Sequence, residues 1–293
     1  MQSGSRDGPS RDAARVFGLR LEARGLGQYA AKLQQLIRPA VRLRPQTLNE
    51  ETDGLGRSRL GGQPDLPPSV HWPAYRRSPQ SFIAQVNLAE ARPQDHRELL
   101  PSAGLLSFFY DSEQSVWGFD PADNEAWAVI YTESLESLVR RDFPDALLER
   151  GRFRAMRLWP EDVVTYPPLE SSDVAMLGMS GEEQEAYAEI VEDEEGSPYH
   201  QFLGNPQPIQ GDMQLECQLV SHGLYCGGPE GYNDPRAAEL GLGAIDWRLL
   251  LQIDSDDDVG MMWGDVGRIY YWMHRDSMRQ TDWDRARLIL QCN

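Results

Sequence analysis

The chain has 293 residues, 40% of them hydrophobic, with eight Trp and eleven Tyr, enough for a sizeable core in one large domain or two small ones. Its formal net charge of −18 argues against nucleic acid and anionic membranes as partners. No apolar run approaches the roughly 18 residues of a membrane span, and the first ten residues lack an apolar signal core.

The charge is uneven. Residues 1–60 hold 11 Lys/Arg against 6 Asp/Glu, whereas 16 acidic residues and no basic one lie between Arg157 and Arg236. Such acidity favours a basic partner, or serves only solubility. Three scattered cysteines, Cys217, Cys226 and Cys292, suit neither a disulfide framework nor a zinc site and read as reduced thiols in a cytoplasmic protein.

In chain order, the first 12 or so residues look disordered. Apolar residues at three- and four-residue spacing predict a helix over about 11–37, with Gly18, Gly25 and Gly27 favouring a split into two and Pro39 as its stop. Val41–Arg44 alternates as a short strand, and 47–58 reads as loop. Four prolines between residues 64 and 73 exclude helix there, with Trp72 as an anchor. Strands follow at 82–88, 105–110 and 126–131. Short helical segments are expected at 133–141 and 144–149, then a strand at 153–158 ended by Pro160. Ser180 and Glu183 form a capping box that opens an acidic helix with Tyr187, Ile190 and Val191 as its apolar stripe. Its last turn is also acidic, which opposes the helix dipole unless something basic covers it.

The stretch from His200 to Val220 organises the rest. It starts as a Gly/Pro loop and continues as an alternation that places Met213, Leu215, Cys217 and Leu219 on one face of an expected strand. A small helix near 236–240 and strands at 249–254, 268–273 and 286–292 complete the chain. Three elements recur in order. Gly61-Gly-Gln-Pro64, Phe82-Ile-Ala-Gln-Val-Asn87 and Gly104-Leu-Leu-Ser-Phe-Phe109 match Leu203-Gly-Asn-Pro206, Leu249-Leu-Leu-Gln-Ile-Asp254 and Gly267-Arg-Ile-Tyr-Tyr-Trp272. The expected architecture is α+β: duplicated sheet-rich halves with peripheral helices, in one compact domain plus an N-terminal helical extension. The extension covers 1–58. The domain covers 59–293, with halves at about 59–158 and 198–293 and an acidic helical insert at 159–197.

Chemistry is sparse. The five histidines show no metal-ligand spacing, and no metal or cofactor is expected. His200, His222 and Cys226 could form a Cys–His pair, but structural hydrogen bonding is the simpler reading. Asp254, Asp256, Asp257 and Asp258 lack the order of a calcium loop. With Lys32 as the only lysine, lysine-based phosphate or Schiff-base chemistry is disfavoured.

The motif residues Gly61, Gly62, Pro64, Gln85, His200, Gly204, Pro206, Gln210, Gly211, Asp212, Gln252 and Asp254, with Trp72, Asn87, Phe108, Trp247 and Gly267, resemble the YwqG-like bacterial family of unknown function. The resemblance spans about 60–293. It implies a mixed α+β fold with a duplicated half and no established activity. Members lie near polymorphic toxin systems, and the resemblance implies an immunity role. The leading expectation is therefore a non-enzymatic, acidic protein that occludes a basic cognate toxin, possibly a nuclease. Its expected contacts are Glu182, Glu183, Glu185, Glu189, Glu192, Asp193, Glu194, Glu195, Asp256, Asp257 and Asp258, with Tyr232 and Trp263 as aromatic anchors. The alternative is an enzyme or small-ligand-binding protein with a cleft between the halves. The basic N-terminal helix could also cover the chain's own acidic face.

Overall fold

The computed structural model describes residues 9–49, 53–91, 99–191, 196 and 198–293. One ten-stranded antiparallel sheet dominates. Its strands are β1 (Arg38–Thr47), β2 (Arg59–Leu60), β3 (Ser81–Asn87), β4 (Leu105–Tyr110), β5 (Trp127–Thr132), β6 (Met156–Thr165), β7 (Gln201–Phe202), β8 (Trp247–Asp254), β9 (Arg268–His274) and β10 (Arg287–Gln291). The spatial order is β10-β9-β8-β7-β1-β6-β2-β3-β4-β5. Among the described residues, eight helices lie around it: α1 (Pro9–Ala23), α2 (Ala30–Gln35), α3 (Ser172–Ala175), α4 (Gly181–Val191), α5 (Gln214–Ser221), α6 (Pro229–Tyr232), α7 (Ala237–Leu240) and α8 (Arg275–Arg279). None of these helices is long and apolar enough to cross a membrane.

The sheet curls until its ends meet, giving a nearly barrel-shaped core. Phe108 on β4 meets Tyr271 on β9 edge to face at 5.0 Å, and the Tyr271 hydroxyl donates to Phe109 O at 3.0 Å. The Trp127 indole on the edge strand β5 donates to Ala286 O beside the opposite edge strand. Inward residues such as Ile83, Val86, Leu106, Leu251, Ile253 and Met273 fill one continuous core. On the outside, Met213, Cys217, Trp247, Leu249 and Trp272 make a second cluster under α5.

The two ends of the sheet match residue by residue. Arg59 pairs with Gln85 and Arg157; Gln201 pairs with Gln252 and Arg42. β3 shifts register between Phe82 and Ala84, and β8 between Leu249 and Leu251. Gly61 and Gly62 have φ of 59° and 71°; Leu203 and Gly204 have 62° and 82°. Leu158 N–H donates to Ser58 O, and Leu43 N–H to His200 O. In the centre Pro45 faces Leu158 and Leu43 faces Pro160. Thus β1 lies beside β7 of the C-terminal set, and β6 beside β2 of the N-terminal set.

Several expectations need correction. Residues 213–219 are not a strand. Asp212 Oδ1 accepts from Gln214 N at 3.0 Å, Cys217 N–H donates to Met213 O, and α5 buries Cys217, Leu219 and Val220. Eight residues are too few for a self-sustaining helix, so packing against the sheet decides the conformation. The helical segments expected at 133–141 and 144–149 are instead a short pairing of 139–140 with Asp65–Leu66 and a 3-10 turn at Glu149–Gly151. Pro160 does not end its strand, and Pro39 lies within β1. Leu43 N–H faces the β7 side, so Pro39 and Pro45 point their missing N–H past the end of two-residue β7. Leu158 N–H likewise faces β2, and Pro160 lies beyond that strand. Proline is tolerated where no ladder partner is lost. Part of the expected helical extension, 38–47, is therefore a mid-sheet strand, and residues 9–12 open α1 where disorder was expected.

Candidate functional site

Residues 203–213 link β7 to α5 over the outer face, and buried glutamines hold this loop in place. Gln252 Oε1 accepts from Gln207 N at 2.9 Å, and its Nε2 donates to Tyr199 O. Gln291 Oε1 accepts from Ile209 N and Gln210 N, while its Nε2 donates to Gly211 O. Gln201 Nε2 donates to Leu203 O and Asn205 O. The Tyr270 hydroxyl and Arg268 Nη1 both donate to Gln207 O. Asp212 Oδ2 accepts from Ser172 N and from the Ser172 hydroxyl, which ties α3 to the loop. A Gly/Pro segment with this many fixed carbonyls and amides is a pre-organised surface.

Two depressions flank the loop and share Pro168, Asn205, Pro206 and Pro208. The larger, about 930 Å³, is lined by Arg20, Arg42, Tyr166, Tyr199, Ile190 and Arg268 among others. The Arg42 guanidinium lies 3.2 Å over the Tyr199 ring and donates to Pro198 O. The smaller, about 50 Å³, lies towards α3 and β8. Sequence reasoning missed its Arg38 and Arg248: the first falls between helix and strand patterns, and the second is one polar position in an apolar run.

The expected acidic contacts fare unevenly. Glu182, Glu185, Asp257 and Asp258 are exposed. Glu192, Asp193, Glu194 and Glu195 lie outside the described residues. Glu183 closes the capping box, accepting from Ser180 N at 2.7 Å while Ser180 Oγ accepts from Glu183 N. It also accepts from Gln28 Nε2 and the Tyr29 hydroxyl, and Glu189 pairs with Arg24. Ser180 N–H holds the Glu183 carboxyl below its ordinary range, helped by these side chains. The N-terminal helices thus cover the acidic helix, burying Phe17, Leu21, Leu33, Tyr187 and Ile190 in a common cluster. Asp256 is not a surface contact: it is 5% exposed and meets His200 Nε2 at 3.1 Å. Trp263 is not an anchor either. It is fully buried between Tyr110 and Phe153, its indole donating to Asp254 O. Tyr232 is 41% exposed, and its hydroxyl meets Glu216 Oε2 at 3.5 Å. No hydrogen bond or ion pair among the described residues links the two acidic segments.

Among the motif residues, Gln85, His200, Asp212, Gln252 and Asp254 hold backbone groups. Gln85 repeats the role of Gln252, accepting from Asp65 N and donating to Arg57 O. His200 Nδ1 meets Asp254 N, and the Asp254 carboxylate pairs with Arg268 and accepts from Tyr199 N. The Cys–His pair does not form: His222 Nδ1 bonds Gln218 O, the Cys226 thiol points to Leu224 O, and burial raises that thiol to about 11. Among the described residues, no group of His, Cys, Asp and Glu is arranged to hold a metal ion.

Glu216 on α5 is the most perturbed carboxyl. Burial raises it to about 7, against smaller opposing effects of Tyr232 and Arg287. A raised carboxyl keeps its proton in the folded state while the unfolded chain ionises. Stability therefore falls as pH rises from about 4.5 to about 7, and stays lower above. Glu216→Gln is expected to be neutral at about pH 4 and to stabilise by about 1–3 kcal/mol at about pH 8. Urea denaturation at the two pH values checks this.

The fold is thus a curled α+β sheet whose polar centre is a clamped loop between two depressions. The chain belongs to the DUF1963 family, a domain of unknown function, whose model matches residues 58–292. Among the curated proteins, none matches the chain.

Proposed function

We propose that the protein works by binding, and that a small polar ligand occupies the larger cleft beside the clamped loop. The observation that carries this reading is the cleft's volume of about 930 Å³ against a wall fixed by Gln252 and Arg268. That size lies in the range of small-molecule sites, and a fixed wall lowers the entropy lost on binding. A thermal-shift screen with nucleotides, sugars and amino acids tests it. A true ligand raises the melting temperature with concentration, and Arg42→Met reduces the shift. A flat response across the screen would sink the idea.

A second reading is favoured by the net charge of −18 and the exposed Glu182, Glu185, Asp257 and Asp258: an acidic immunity protein, related to the YwqG-like group, that occludes a basic toxin. Exchanging those four carboxylates for lysine should slow association with a basic partner. Unchanged association at low salt rejects it.

We also infer that the halves descend from a duplication in which each first strand, β1 or β6, crosses to complete the other half. Support comes from the matched bulges, left-handed turns and glutamine clamps.

A further inference from the structure

The smaller depression, about 50 Å³, is walled by Arg38, Arg248, Asp173, Pro206, Trp247 and Trp272. Arg38 spends Nη1 on Gln35 O and Ile37 O, and Arg248 spends Nη1 on Ile245 O and Trp247 O. Neither guanidinium has a carboxylate within 4.0 Å among the described residues, in a chain with 46 acidic residues. Trp272 is 2% exposed, and its indole N–H has no acceptor among the described residues. A buried donor left without a partner costs about 1–3 kcal/mol, so native structures rarely keep one. Burial lowers Arg38, and it lowers Arg248 to about 10, with the Arg38 charge adding to the effect. Asp173 and Asp212 also line the depression, and Asp212 is engaged by Ser172 and Gln214, so two partly desolvated cations and an orphan donor remain for a bound group. One water needs roughly 10–15 Å³, so a space of about 50 Å³ suits a group of about three or four heavy atoms.

We propose that this depression binds a carboxylate group, with Arg38 and Arg248 as its charged donors. A planar monoanion matches the fork of an arginine side chain; Asp173 and Asp212 disfavour a dianion such as phosphate. The proposal stands apart from the ligand of the larger cleft, because the two depressions have separate arginines.

The test is an acetate titration of the full chain at constant ionic strength in chloride, reading the ¹⁵N indole resonance of Trp272, assigned with Trp272→Phe. Parallel titrations use a short peptide with a free and with an amidated C-terminus. We expect a saturable shift of the Trp272 resonance with acetate. Arg248→Met should weaken it about tenfold or more, and Arg38→Met gives a second reading should Arg248→Met fold poorly. Tighter binding of the free-ended peptide, but not the amidated one, identifies a chain terminus as the source; acetate binding alone identifies a small free acid. A Trp272 resonance that moves with neither probe overturns the proposal. So does a shift that both arginine variants leave unchanged.

Discussion

Gly118→Ala is expected to destabilise the protein by about 4 kcal/mol or more. Gly118 has φ of +100°, and a Cβ there would lie 1.9 Å from Leu288 O and 3.1 Å from Ile289 Cα. Both neighbours are β10 backbone, so no side chain can rotate away. The segment carrying Gly118 is pinned from several directions. The Tyr110 hydroxyl donates to Val116 O, Leu290 N–H to Trp117 O at 3.0 Å, and Cys226 N–H to Phe119 O. Retreat of the segment would break the Leu290–Trp117 bond and open the seam where the curled sheet meets its other end. Backbone strain contributes about 1–3 kcal/mol and the lost bond about 1 kcal/mol more, before repacking. Gly223→Ala is the control. It also has positive φ, +83°, but nothing lies within 4 Å of its Cβ. Urea denaturation of both variants separates steric closure from strain alone. Equal losses would show that the seam is not close-packed.

The strands at 81–87, 105–110, 127–132 and 268–274 were readable because each is a short, largely apolar run, and Gly104 and Gly267 open two of them. The capping box at Ser180 was readable because its chemistry is local. The conformation of 213–219 was not. Met213, Cys217 and Val220 fit a helix while Met213, Leu215, Cys217 and Leu219 fit a strand, and only the outer face of β8 and β9 decides between them. Pro39, Pro45 and Pro160 looked like stops because the shortness of β2 and β7, which leaves them room, is a tertiary fact. The glutamine clamps were visible as Gln85 and Gln252 at equivalent strand positions. The crossing of β1 and β6 was not, since Leu43-Arg-Pro45 and Leu158-Trp-Pro160 share only two residues. Trp263, in a glycine-rich segment, looked like a surface ring; its burial depends on Tyr110 and Phe153, about 150 and 110 residues earlier. The depression with Arg38 and Arg248 left no trace, because its walls come from five separate stretches of chain.

The second large effect tests a difference between the two matching ends of the sheet. Asp254 pairs across strands with Arg268, and the equivalent N-terminal pair is Asn87 with Leu105. Arg268→Leu is expected to cost about 3–5 kcal/mol, because it leaves the Asp254 carboxylate, 3% exposed, without its cation. The double variant Asp254→Asn with Arg268→Leu rebuilds the N-terminal pair. The introduced amide keeps an oxygen for Tyr199 N–H, the donor Asp254 serves now, and no buried charge is stranded. The double variant should therefore be less destabilised than Arg268→Leu alone, with a coupling of about 1–3 kcal/mol in a double-mutant cycle. Recovery should stop short of wild type, since Arg268 Nη1 also donates to Gln207 O and thus holds the clamped loop. Additive losses in the cycle would place the cost of Arg268→Leu in that loop contact and not in the ion pair. The pair would then be a consequence of anchoring Gln207, and the charged chemistry of the C-terminal half would trace back to its loop.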